Sequence, residues 1–183
     1  MFLLLLSILE TLFATLNQQV FQSDFVLSVT QELAQPRNMS GSVIMKGEQF
    51  SASMSGIEAA YDGKTLYMYQ SDIDELTLSN PTAEELTEVN PLAFAQALVA
   101  TANITEHDSR DGKSVYVTLT PKNQEAGIKR FVVKINREKL LPLSVEMHEG
   151  KQTTTLTFKN PQYTNITPSF VLEKDGAYIN DLR

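Results

Sequence analysis

From Phe21 onward, apolar residues recur at every second position in short runs, and pairs of turn-forming residues separate the runs by gaps too short for a helix. Phe25, Leu27 and Val29 alternate with Val26, Ser28 and Thr30, and similar runs follow at 40–46, 49–54, 57–61, 64–70 and 73–78. Lys46-Gly47-Glu48, Ser55-Gly56, Asp62-Gly63 and Ser71-Asp72 lie between them. Gaps this short make hairpins of sequence neighbours, and hence an antiparallel meander. Further runs at 103–107, 114–120, 128–136, 140–148, 152–159, 169–173 and 176–180 complete the strand candidates. About a dozen strands in one small chain cannot lie flat, because twisted sheets of that size curl or close. The fold class is mainly β with an α+β element: a strongly curved antiparallel sheet.

Helices are expected in two places. Leu6, Leu9, Leu12, Phe13 and Leu16 recur at spacings of three and four, which predicts an amphipathic helix over residues 5–18. The apolar run MFLLLLSIL is far shorter than the roughly 20 residues that span a bilayer. It shows no basic n-region, the first basic residue being Arg37, so residues 1–5 read at most as a signal-peptide remnant. Midway along the chain, Asn80-Pro81 ends the strand pattern. Thr82 can cap a helix there, with Glu84 and Glu85 in its first turn and Leu86 and Val89 on its apolar side. Asn90-Pro91 interrupts that helix, and a second carries Leu92, Phe94, Ala95, Leu98 and Val99. No repeat, linker or low-complexity tract divides the chain, which reads as a single domain over 1–183.

Alternation assigns the apolar face strand by strand. It takes Phe25, Leu27 and Val29 from the first run, Val43 and Met45 from the second, and Phe50, Ala52 and Met54 from the third. Leu66 and Met68 follow, then Val145 and Met147, then Leu156 and Phe158. Any one of these residues serves as ordinary core. A helix inserted midway through a meander has to cover an open side of the sheet, so Phe94 and Leu98 either plug that side or close over a removable apolar ligand. Methionine suits a surface that must fit varied chains.

Catalytic chemistry is not visible. The 22 acidic residues against 15 basic ones give a net charge of -7, which argues against nucleic acid as a ligand. Cysteine is absent, which excludes disulfides, thiolate metal sites and a cysteine nucleophile. His148 and Glu146 share the polar face of their strand, and His107 has only Glu106 and Asp108 beside it, which point away from it along a strand. Asp72, Asp74 and Glu75 cluster at a turn without the twelve-residue calcium-loop pattern. No nucleophile elbow, phosphate loop or dinucleotide fingerprint occurs. The reading is of a protein without enzymatic activity, cofactor or metal.

The order of these segments resembles a known family. Phe21-Gln-Ser-Asp-Phe25, then Ser40-Gly-Ser-Val-Ile-Met-Lys46, then YDGKTLYMY at 61–69 is similar to the periplasmic outer-membrane lipoprotein carriers of the LolA family. LTPK at 119–122, IKRF at 128–131 and the terminal Asn180-Asp-Leu-Arg183 extend the likeness over essentially the whole chain. The form resembles the branch found in Bacteroidetes-type bacteria. The resemblance implies an incomplete antiparallel barrel with a helical lid over an apolar cavity, lined by the inner-face residues together with Phe94 and Leu98. It implies a monomeric periplasmic carrier that takes acylated lipoproteins from an inner-membrane ATP-driven releasing transporter to an outer-membrane acceptor. In the family an arginine-proline follows the strand lysine, and that arginine holds the lid shut; here Lys46-Gly47 stands instead, so Lys46 is the candidate latch. Two other classes remain in view: a lipid- or lipoprotein-sensing module that signals to a protein partner, and a hydrolase acting on lipid in the cavity.

Overall fold

Ser7 opens the first helix with a reciprocal cap: its hydroxyl accepts from the Glu10 N–H, and the Glu10 carboxylate accepts from the Ser7 N–H. From there α1 (Ile8–Gln18) buries Leu9, Leu12, Phe13 and Leu16 along one stripe. The structure, a computed structural model, describes residues 7–123 and 127–183, so the expected signal remnant at 1–5 lies outside the described residues. Five hairpin-linked strands follow β1 (Val20–Gln31): β2 (Arg37–Lys46), β3 (Gln49–Met54), β4 (Ile57–Tyr61), β5 (Leu66–Gln70) and β6 (Glu75–Ser79). Next come α2 (Ala83–Val89), capped by Thr82 as expected, and α3 (Pro91–Leu98), which Asn90, expected only as an interruption, caps with its side chain. The second strand run is β7 (Ala102–Asp108), β8 (Ser114–Pro121), β9 (Ile128–Asn136), β10 (Leu141–Glu149) and β11 (Gln152–Thr164), and β12 (Tyr178–Asp181) closes the chain.

The twelve strands of the described residues form one sheet in the order β12-β6-β5-β4-β3-β2-β1-β11-β10-β9-β8-β7. The curved sheet stays open, with β12 at one edge and β7 at the other. The expected meander therefore exists twice, once on each side of β1. What joins the halves is the long-range pairing of β1 with β11, from Val20 opposite Thr164 to Gln31 opposite Gln152. Alternation marks which face of a strand is apolar but not which distant strand it meets, so this pairing was not readable from the runs. The α2–α3 segment carries the chain from β6, beside one edge, to β7 at the other.

Two expectations fail at the C-terminus. Residues 169–173 form no strand; Phe170 is buried, and Leu172 packs with Ala177 against Ala60, Tyr67, Leu76 and Leu78 on the outer face of β4–β6. Their alternating apolar residues are satisfied by laying an extended segment across a sheet, which gives the same period as pairing with it. Lys174 fixes this strap through Glu58 Oε1 at 2.6 Å and over the Tyr69 ring. The last strand is also parallel to β6, with Tyr178 opposite Glu75 and Asp181 opposite Leu78, so the sheet is not wholly antiparallel. Among the described residues no helix is long and apolar enough to cross a membrane.

Candidate functional site: the covered inner face

Cross-strand register turns the apolar alternation into rows. Leu27, Leu156, Val145, Val133 and Val117 stand opposite one another across β1, β11, β10, β9 and β8. On the other half, Phe21, Met45, Phe50, Tyr61 and Leu66 form a row across β1 to β5, and all five are buried. One step along those strands, Val43, Ala52, Ala59 and Met68 form a half-buried row. One step further, Met54 is half-buried and Ile57 opposite it is 39% exposed. Exposure thus rises with distance from α1, while the residues stay apolar. The helices cover one end of the inner face and leave the other end open.

Of the residues expected on this face, Phe25, Met45, Phe50, Leu66, Val145 and Phe158 are buried in the main cluster. Leu27, Val43, Ala52, Met54, Met68, Met147 and Leu156 pack against it half-buried, as do Phe94 and Leu98. Val29 is half-buried but lies outside the cluster, near the distal end of β1. Phe25 needs a glycine opposite: a Cβ on Gly41 would stand 2.5 Å from the Phe25 ring. Phe94 on α3 meets Phe131 on β9 with ring centroids 5.2 Å apart. With Leu92 and Ala95 buried beside it, α3 is seated firmly. By contrast, α2 buries no residue fully, and its Leu86 is half-buried.

Between α1, the β2–β3 hairpin and the α2–α3 pair lies a cleft of about 250 Å³. Its walls are mainly apolar: Phe13 and Leu16 from α1, Met45 and Phe50 from the hairpin, Leu86 from α2 and Leu92 from α3. Asn17, Glu48, Thr87, Asn90 and Gln96 add polar groups, of which Asn90 alone is buried. Sequence reasoning assigned Met45 and Phe50 to the face but missed Phe13, Leu16, Leu86 and Leu92 as site residues. The stripe Leu9, Leu12, Phe13 and Leu16 was the available signal; what it did not carry was the surface that the helix covers.

The Lys46 side chain is exposed and makes no ion pair or hydrogen bond among the described residues. Contact with the helix is made one residue later, where the Gly47 N–H donates to the Leu16 carbonyl at 2.8 Å. Gly47 holds φ +58, a conformation natural to glycine.

Other polar groups lie away from this cleft. His148 bonds Glu146, with Arg130 3.1 Å from its Nε2 and the Thr153 hydroxyl 3.2 Å from its Nδ1; this is a polar network across β9, β10 and β11. His107 stacks on Tyr116. At the β5–β6 turn, Asp74 accepts from the Tyr69 hydroxyl, and Glu75 accepts from Thr77 and Asn180. No group of acidic and histidine side chains suited to a metal ion occurs among the described residues. Asp62 organises the DGKTL turn: burial alone would raise its pKa, but N–H donation from Thr65 and Lys64 and the Tyr67 hydroxyl holds it below the usual carboxylate range.

Comparison with known proteins gives a family and a fold. The family described as "Outer membrane lipoprotein carrier protein LolA" matches residues 17–170. No curated protein matches the chain. A conserved protein from Thermus thermophilus superimposes with a TM-score of 0.65 at 12% identity, covering 94% of this chain and 96% of that one. A LolA superfamily protein from Nitrosomonas europaea gives a TM-score of 0.46 at 9% identity over 87% and 93% of the two chains. The MucA/MucB complex of Pseudomonas aeruginosa gives 0.47 at 17% identity, covering 88% of this chain and 57% of that one.

Proposed function

The chain belongs to the LolA family of outer membrane lipoprotein carrier proteins, and on that premise we propose that it is a periplasmic carrier that holds lipoprotein acyl chains along the inner face of its open sheet. One observation carries this reading: the inner face stays apolar where the helices no longer cover it, from the half-buried row Val43, Ala52, Ala59 and Met68 to Met54 and Ile57. A face that served only as core would turn polar where it meets water.

The physics of the cargo sets what such a carrier must do. Each buried acyl methylene is worth about 0.8 kcal/mol, so a lipoprotein bearing several long chains does not cross water unaided. The carrier replaces the bilayer with its own apolar surface and then releases the chains. A cleft of about 250 Å³ is smaller than the roughly 300–1,000 Å³ pockets that hold drug-sized ligands. Chains seated in this cleft therefore require its cover to move, and α2 is the described helix that buries no residue fully. In this reading, cargo comes from an inner-membrane ATP-driven releasing transporter and passes to an outer-membrane acceptor, and the whole chain acts as one monomeric domain. Family members are carriers rather than enzymes, and no covalent step is needed.

The test is displacement of a fluorescent fatty-acyl probe by a triacylated lipopeptide. Micromolar protein is expected to raise the probe's emission, and the lipopeptide to reverse it. Unchanged emission in both steps would overturn the proposal.

A further inference from the structure

Asn90 does two jobs with its backbone. Its N–H donates to the Leu86 carbonyl at 3.0 Å, closing α2, and its carbonyl accepts from the Phe94 N–H at 3.0 Å, opening α3. The side-chain oxygen is also committed, accepting from the Leu92 and Ala93 N–H groups at 3.1 and 3.2 Å. These two bonds fix the amide's orientation: the oxygen faces the α3 terminus, and the NH2 group faces away from it. That NH2 group has no hydrogen-bond partner among the described residues. Asn90 is only 6% exposed, yet no side-chain nitrogen or oxygen among the described residues is both sealed from solvent and unpartnered. The NH2 group therefore keeps contact with solvent, and Asn90 itself lines the cleft between Phe13, Leu16, Met45, Leu86 and Leu92.

We propose that Asn90 is a specificity residue of this cleft, whose amide NH2 donates to the carbonyl oxygen of an acyl ester or acyl amide. This rests on the acyl-carrier reading and deepens it. An apolar wall binds any hydrocarbon of suitable shape and cannot tell an acylated molecule from an alkane or an alkyl ether. A buried donor does so, because leaving it unpaired against hydrocarbon costs more than satisfying it with a carbonyl. The carbonyl is also the one acceptor common to every acyl chain, placed where chain meets head. Seating it on Asn90 sets the depth of the chain and leaves the head near Asn17, Glu48 and Gln96 at the rim.

The experiment compares two ligands that differ by one carbonyl: 1-palmitoyl- and 1-hexadecyl-lysophosphatidylcholine, each below its micelle concentration, competing with a fluorescent acyl probe. The wild-type protein is expected to bind the ester about 3- to 10-fold more tightly than the ether, as a net buried hydrogen bond implies. Asn90→Asp keeps the capping acceptor but removes the amide donors, and it should bring the ester-to-ether affinity ratio to about one, whatever the added charge does to each affinity alone. Should that variant not fold, Asn90→Gly, which an N-cap position tolerates, removes the side-chain donor altogether and serves the same comparison. Equal affinities in the wild type, or a preference that survives in the variant, would overturn the assignment alone. If neither lipid displaces the probe, the acyl-carrier reading falls and takes this one with it.

Discussion

The Gly47 N–H donates to the Leu16 carbonyl at 2.8 Å, tying the β2–β3 hairpin to the last turn of α1. The bond satisfies a carbonyl at the C-terminal end of the helix, where the backbone lacks its own partner. It also fixes one wall of the cleft, since Leu16, Met45 and Phe50 stand on either side of it. The contact between hairpin and helix at this point is made by backbone atoms, so it needs a residue at position 47 that keeps its N–H.

Substitution at Gly47 separates the two possible latches. Alanine keeps the N–H but must hold φ +58, with its Cβ 3.2 Å from the Asn17 side-chain oxygen; the expected cost is about 1 kcal/mol. Proline loses the N–H and cannot reach that φ, so Gly47→Pro should speed release of a bound acyl probe. Lys46, exposed and unpaired, should tolerate alanine within about 0.5 kcal/mol and without a change in release rate. Stopped-flow dissociation of the probe decides the matter: release from Lys46→Ala as fast as from Gly47→Pro would return the latch to the lysine.

Much of this architecture was legible because the period-two pattern and the Asp-Gly, Ser-Gly and Lys-Gly turns report purely local geometry. That is why β3 and β4 begin and end where the alternation says. The β1–β11 pairing and the parallel seat of β12 are non-local, and no residue in either strand names its partner. Phe170 and Leu172 misled for a physical reason, because an extended strap lying on a sheet alternates as a paired strand does. At the site, the residue types were legible but the division of labour was not. Asn90 read as a helix breaker, and its side chain gained a further meaning only once the cleft stood beside it.

Gly41 tests whether the inner face tolerates filling. A Cβ there would lie 2.5 Å from the Phe25 ring and would clash with the Ser53 backbone oxygen, which cannot swing away. Gly41→Ala is expected to destabilise the protein by about 1–3 kcal/mol, the usual range for overpacking. Urea denaturation would measure it. A midpoint equal to the wild type would show that β2 and β3 separate more easily than their pairing implies.

Phe94 and Leu86 distinguish the seated helix from the loose one. Phe94 is half-buried against Phe131, so Phe94→Ala should cost about 2–3 kcal/mol, below the range for a wholly buried phenylalanine. Leu86 sits on α2, which buries no residue fully, so Leu86→Ala should cost about 1 kcal/mol or less while weakening probe binding severalfold. Denaturation and probe titration on both variants give four numbers. The reverse pattern, with Leu86 governing stability and Phe94 only binding, would make α3 rather than α2 the moving part.

Tyr163 contributes to the decline of stability at alkaline pH. Its hydroxyl donates to the Leu140 carbonyl at 2.5 Å, and its ring packs edge-on against Phe21. Burial pushes its pKa up to about 12, because the phenolate would lose water there. An unfolded chain ionises tyrosine near pH 10, so between about 10 and about 12 the unfolded state releases a proton that the folded state keeps. Stability from this group is therefore complete below about pH 10 and falls as pH rises toward 12. Burial raises Tyr61 and Tyr67 in the same direction, and the hydrogen bond to Asp74 raises Tyr69, so the wild-type slope is shared. Tyr163→Phe should cost about 1 kcal/mol at neutral pH through the lost hydrogen bond and should flatten part of the alkaline decline. Urea midpoints at neutral pH and at two points above pH 10, for both proteins, provide the comparison. Parallel curves would mean that Tyr163 ionises in the folded state as readily as in the unfolded chain, and that its pocket admits water.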